Sequence, residues 1–201
     1  MKALVLVDVQ YDFLPGGALA VPDGDKIIPV LNHLQDKFPL IVATQDWHPA
    51  NHGSFASGHL GKAPFDKGEL AGMEQILWPD HCVQGQKGAE ISKELNTLKV
   101  EAIFRKGTDP EIDSYSGFFD NGKKKSTGLA DYLKGRGVEE VFLGGLAADF
   151  CVGFTALDAI EQGFKLFLIE DATRPIDEKG WEEMKSQIIK KGGIIVQSVD
   201  I

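Results

Sequence analysis

Six short apolar runs limit the class of fold open to this chain. They are Ala3–Val7, Leu40–Thr44, Ala102–Phe104, Val141–Leu143, Lys165–Ile169 and Ile194–Val196. Each is nearly continuous in apolar residues rather than alternating, the pattern of a strand buried on both faces. Helical periodicity fills gaps near Lys26–Lys37, Thr127–Lys134, Phe150–Gln162 and Glu178–Lys190. Strands that alternate with helices predict an α/β fold: a doubly wound sheet of about six mainly parallel strands with helices on both faces. The 201 residues suffice for one such domain over 1–201, and no repeat, low-complexity tract or linker divides it.

One stretch breaks the rhythm. From Trp47 to about Glu101 the chain makes a long excursion rich in Gly, Pro and His. Excursions of this length inside a compact domain are usually functional. In open α/β sheets, ligands bind beyond the carboxyl ends of the strands. Asp8, Asp46, Lys106 and Cys151 all fall just after apolar runs, so they are expected to meet in one pocket.

The chemistry of these residue types is specific. Val141-Phe-Leu-Gly-Gly-Leu-Ala-Ala-Asp-Phe-Cys151 reads as a strand, a glycine turn and a cysteine in the first turn of a helix. That helix has an apolar face of Phe150, Phe154, Leu157 and Ile160. Free N–H groups and the helix dipole would favour a Cys151 thiolate, and the same N–H groups could receive an oxyanion. The plainer alternative is a small buried hydrophobe.

Asp46 and His48, two apart in extended chain, point the same way and could chelate one ion. His81 would complete a set of three. The alternative is a loop whose histidines cap backbone groups. His52 could serve as a fourth ligand or orient another ligand. His33 reads as solvated, and His59 has no assigned role. Asp8 sits at the mouth of a buried strand, where desolvation would raise its pKa and suit it to proton transfer. Lys106 beside it would hold the carboxylate and stabilise a thiolate.

Charge and composition exclude some classes. With 21 basic against 30 acidic residues, the net charge of −9 argues against nucleic-acid binding. No apolar stretch is long enough to span a membrane. Two cysteines, Cys82 and Cys151, make no disulfide framework, and the start of the chain has no secretory pattern. A cytoplasmic setting fits both.

Taken in order, the motifs resemble the nicotinamidase (pyrazinamidase) branch of the isochorismatase-like cysteine hydrolases. They are Asp8-Val-Gln-Tyr-Asp-Phe-Leu-Pro-Gly-Gly-Ala-Leu, Thr44-Gln-Asp-Trp-His-Pro-Ala-Asn-His-Gly-Ser-Phe and Trp78-Pro-Asp-His-Cys-Val-Gln-Gly. Lys106-Gly, Asp113-Ser-Tyr-Ser-Gly-Phe and Gly144-Gly-Leu-Ala-Ala-Asp-Phe-Cys-Val follow. The set covers nearly the whole chain. One departure is Ala-Asp-Phe-Cys where relatives often carry Thr-Asp-Tyr-Cys, which loses a hydroxyl near the pocket. A second is an excursion before Trp78 that is longer than in compact members.

The resemblance implies a catalytic triad of Asp8, Lys106 and Cys151, and metal ligands Asp46, His48 and His81. It implies a non-proline cis peptide between Leu146 and Ala147, with the Ala147 and Cys151 N–H groups forming the oxyanion hole. It places Phe13, Trp78, Tyr115 and Leu146 at the substrate. It further implies one divalent ion, Zn²⁺ ahead of Mn²⁺ or Fe²⁺, holding the pyridine nitrogen, and hydrolysis of nicotinamide to nicotinate and ammonia through a Cys151 thioester in NAD salvage. The partner would be a small aromatic amide, and oligomeric state stays open. Three other readings are another carbamoyl-cleaving amidase, a metallohydrolase using metal-bound hydroxide, and a binding module without catalysis.

Overall fold

The computed structural model describes residues 1–201. Its centre is a sheet of six strands, all paired in parallel: β1 (Lys2–Val7), β2 (Ile41–Asp46), β5 (Ala102–Lys106), β6 (Glu140–Leu146), β7 (Lys165–Arg174) and β8 (Ile194–Val196). Side-chain alternation explains the continuous apolar runs. Ala3, Val5 and Val7 of β1 enter one core, while Leu4 and Leu6 enter the other. All five are 0% exposed, and each large one contributes about 1.5–3 kcal/mol by leaving water.

Helices α2 (Leu129–Gly135), α3 (Gly153–Glu161) and α4 (Glu178–Lys190) cover one face, and α1 (Ile27–Leu34) covers the other. Helix α1 buries Ile27, Ile28, Leu31 and Leu34, a single stripe at helical spacing. Helix α4 starts at Asp177, whose side chain accepts the Gly180 N–H, and it buries Trp181, Met184 and Ile188. No helix is long and apolar enough to cross a membrane.

The strand order β5-β2-β1-β6-β7-β8 contains the switch that creates a site. The chain builds outward from β1 through β2 to β5, then crosses back to lay β6 on the other side of β1. The crevice between β1 and β6 lies where connections leave in opposite directions, the usual ligand position in such sheets. Four strands run past their apolar segments: β2 to Asp46, β5 to Lys106, β6 to Leu146 and β7 to Arg174. Polar residues at these ends therefore remain fixed by the sheet ladder.

The excursion also holds a hairpin, β3 (Lys67–Leu70) and β4 (Met73–Ile76), absent from the sequence reading. Its two-residue loop, Ala71 and Gly72, has positive φ at both positions (54° and 78°), as a tight hairpin turn requires. The segment has few β-branched residues and is mostly exposed, so it lacks the usual strand signal.

Candidate active site

The sheet brings four separated residues to one point. Asp46 and Lys106 are register partners on β2 and β5, and β1 and β6 are aligned through Val7 and Gly145. Asp8 follows β1 in a left-handed backbone (φ 48°), which Asp tolerates better than most residues. Cys151 follows β6.

Lys106 is the hub. Its Nζ lies 3.0 Å from Asp8 Oδ2, 3.0 Å from Asp46 Oδ1, 3.0 Å from the Ser114 carbonyl and 3.4 Å from Cys151 Sγ. The other Asp8 oxygen accepts the Thr44 hydroxyl at 2.5 Å. Asp8 lies behind Cys151 and Lys106 and does not line the cavity.

The electrostatics follow from burial. Burial pushes the Asp8 carboxyl up against the opposing pull of Lys106. Burial also acts to raise Asp46, but His48 and Lys106 overcome it and hold that carboxyl well below its usual range. For Lys106, the cost of burial is outweighed by the charges of Asp46, Asp8 and Cys151, so its pKa is well above the ordinary value.

Cys151 lies at the start of a helix, where its sequence places it. It lies in a π-helical turn, Ala148–Val152, that precedes α3. It is 7% exposed, and burial pushes its thiol well up despite Lys106. The only hydrogen-bond contact of the sulfur is with the Lys106 ammonium, at 3.4 Å. Burial therefore works against the thiolate, and the Lys106 ammonium works for it. The Leu146–Ala147 peptide is cis.

Next to this cluster is a group suited to a cation. The Nε2 atoms of His48 and His81 lie 2.9 and 3.3 Å from Asp46 Oδ2. Their Nδ1 atoms lie 2.9 Å from the Gly107 carbonyl and 2.8 Å from the Pro79 carbonyl. A carbonyl only accepts, so each Nδ1 carries a hydrogen, and Nε2 is the ring atom that faces the carboxylate and would give its lone pair to an ion bound there. Three converging lone pairs fit a divalent ion of the Zn²⁺ type. Asp46, His48 and His81 lie within the spacing that one ion would need. Gly107 permits the arrangement. Its φ is +64°, and a Cβ there would meet the His48 ring and Asp46 Oδ1.

His52 is 2% exposed, with its ring 4.2 Å from that of His48. Its Nδ1 accepts the Ser54 backbone N–H at 3.2 Å, and its buried Nε2 has no hydrogen-bond partner. Burial, then the neighbouring His48, lowers its pKa to about 4, which keeps the ring neutral. His48, His52 and Asp113 form a second group with ligand spacing.

The cavity between the Lys106 cluster and the three candidate ligands is narrow, about 20 Å³. Phe13, Trp78 and Tyr115 line it, as expected, together with Ala147. Leu146 does not line it. Its side chain is fully buried in the core on the α1 side, because β6 still runs through that residue.

Five further lining residues were not singled out as cavity residues: Leu19, Asp113, Ser114, Phe150 and Ile176. Phe150 belongs to a helix stripe whose periodicity points to the core. Leu19, Asp113 and Ser114 lie inside quoted motifs, whereas Ile176 carries no local signal. Asp149 explains Ile176, since its carboxylate accepts the Ile176 and Asp177 N–H groups, both at 2.9 Å.

Gln10 also had no assigned role. Its side chain clasps the Asp46 backbone, accepting the N–H and donating to the carbonyl, both at 2.8 Å, and donates to the Ala89 carbonyl at 2.8 Å.

Relatives share both the fold and the sequence. A nicotinamidase of Acinetobacter baylyi is 49% identical over 194 residues, covering 94% of this chain and 91% of that protein. The structure of an Acinetobacter baumanii nicotinamidase and pyrazinamidase superposes with a TM-score of 0.97 at 49% identity, covering 99% and 97% of the two chains. A pyrazinamidase of Pyrococcus horikoshii in complex with zinc gives 0.80 at 40% identity, covering 98% of each chain. The profile of the isochorismatase domain matches residues 2–200. The chain therefore belongs to the isochorismatase-domain family.

Proposed function

We propose that this protein is a nicotinamidase, an amidase that hydrolyses nicotinamide, and pyrazinamide as a close analogue, to the acid and ammonia in NAD salvage. The observation that carries the reading is the buried Asp8–Lys106–Cys151 cluster set beside Asp46, His48 and His81 across one small aromatic-walled cavity. Identity of 49% to a nicotinamidase over nearly the whole chain supports the substrate. The chain acts as one domain, with residues 47–101 supplying a ligand pair and the roof of the site. Two unpaired cysteines fit a reducing cytoplasm.

In this mechanism the amide lies with its ring against Phe13, Trp78 and Tyr115, and each aromatic contact adds about 0.5–1.5 kcal/mol beyond burial. Asp46, His48 and His81 would hold a divalent ion, zinc in the first instance, and when bound it supplies a Lewis-acidic anchor for the pyridine nitrogen. Asp8 takes the Cys151 proton, and Sγ attacks the amide carbon. The N–H groups of Ala147 and Cys151 receive the oxyanion. Loss of one such donor costs on the order of 10²–10³ in kcat.

Asp8 then passes its proton to the departing nitrogen, the C–N bond breaks, and ammonia leaves a thioester on Cys151. A water molecule, deprotonated by Asp8, attacks the thioester carbon. The acid leaves as the C–S bond breaks, and the sulfur recovers its proton. Throughout, Lys106 holds the Asp8 carboxylate and faces the sulfur, and the aromatic walls exclude bulk water.

The test is ammonia release from nicotinamide by zinc-loaded protein, with benzamide as a ring control lacking the pyridine nitrogen. Turnover of nicotinamide well above that of benzamide is expected. No release from nicotinamide at full metal occupancy would refute the assignment.

A further inference from the structure

Tyr115 lines two hollows at once, and no other residue is shared between them. On one side is the reaction cavity. On the other is a groove of about 380 Å³, open to solvent, between the β3–β4 hairpin and α3. The ring packs 5.5 Å from Phe150, a cavity residue, and 5.2 Å from Phe154, a groove residue. Removing it would join the two spaces.

Both ends of Tyr115 are pinned. Its backbone N–H donates to Asn121 Oδ1 at 2.9 Å. Its hydroxyl oxygen lies 3.0 Å from Gln75 Nε2, which also donates to Asp113 Oδ2 at 2.9 Å. Gln75 is 4% exposed on a strand whose other residues are not buried, so it is the inward anchor of the hairpin. Besides Tyr115, the apolar residues of the groove are Met73, Phe154 and Leu157, and polar and charged side chains make up the rest of its lining.

We propose that Tyr115, held by Gln75, is the specificity-determining partition of the site. It confines substrates to single-ring amides. Without it, the site accepts aryl amides that carry a second ring, with that ring lying in the groove between the hairpin and α3. This rests on the amidase reading above.

The experiment compares kcat/KM for nicotinamide and for its 5-phenyl and 6-phenyl derivatives in zinc-loaded wild type, Tyr115→Ala and Gln75→Met. In Tyr115→Ala, the ratio of one phenyl derivative to nicotinamide should rise at least about tenfold, a typical size for a pocket contact. Gln75→Met, which keeps the volume but loses the hydrogen bonds, should raise it severalfold through KM.

An unchanged ratio in both variants, with nicotinamide still hydrolysed, would overturn the partition. If Tyr115→Ala fails to fold, Gln75→Met alone decides. If wild type releases no ammonia from nicotinamide, the amidase reading fails separately. Calorimetric binding of the phenyl amides then judges the partition: tighter binding to the variants upholds it, and equal binding refutes it.

Discussion

Replacing Lys106 by Met should leave two buried carboxylates without their shared cation. The Lys106 side chain is 1% exposed, and its Asp8 and Asp46 partners are 0% and 4% exposed. Solvent therefore cannot take over the role of the ammonium. Asp46 retains His48 and His81 at 2.9 and 3.3 Å, whereas Asp8 retains only the Thr44 hydroxyl. The unpaired Asp8 charge dominates the loss. Breaking a buried pair from one side costs about 3–5 kcal/mol. For a chain of this size, that lowers Tm by roughly 6–20 °C.

Urea unfolding of metal-free wild type and variant at neutral pH measures the difference. Asp8→Asn added to Lys106→Met should restore much of the stability and none of the turnover, because it removes the stranded charge and the base together. A Lys106→Met protein destabilised by less than about 1 kcal/mol would refute the reasoning, since that is the size of an exposed pair.

Two further outcomes follow from neighbouring contacts. Gln10→Met removes the clasp on the Asp46 backbone and should weaken zinc binding about 10–100-fold, as read by chelator competition. Unchanged affinity would remove Gln10 from the positioning of that ligand. The Tyr115 phenol is raised above its ordinary pKa by burial and then by the nearby Asp113 charge. A raised acid group contributes stability that is intact below its unfolded pKa of about 10 and is lost as pH climbs toward the folded value. Wild type should therefore lose up to about 1.4 kcal/mol per pH unit more than Tyr115→Phe above that point, in denaturant titrations from pH 9 to 11. A constant gap between the two proteins would contradict a protected phenol.

The sheet was legible because burial on both faces leaves a mark that needs no partner to be read. Ala3–Val7 is apolar at every position, since its odd residues serve one core and its even residues the other. The strand ends were less visible. Asp46 and Lys106 look like loop residues, but the ladder continues through them to fix charged groups in place. The hairpin of residues 67–76 was missed because it packs through few side chains. Gln75, its buried anchor, is a polar residue in a polar run.

The residues expected to converge do so, with Asp8, Asp46 and Cys151 all set around the Lys106 ammonium. Cys151 combines both of its sequence readings: it lies in the helical turn before α3, and its sulfur packs into the α2–α4 face, where burial raises the thiol. Contacts made by polar side chains to distant backbone, such as Gln10 to Asp46 or Asp149 to Ile176, leave no periodic trace in sequence.

The most direct test of a sulfur-borne reaction is rapid acid quench of zinc-loaded wild type and Cys151→Ala during nicotinamide turnover, read by intact mass and by ammonia release. Wild type should carry a nicotinoyl group on the peptide containing Cys151, and the variant should carry none and release no ammonia. Ammonia release that persists in Cys151→Ala at equal zinc content would contradict covalent catalysis by Cys151.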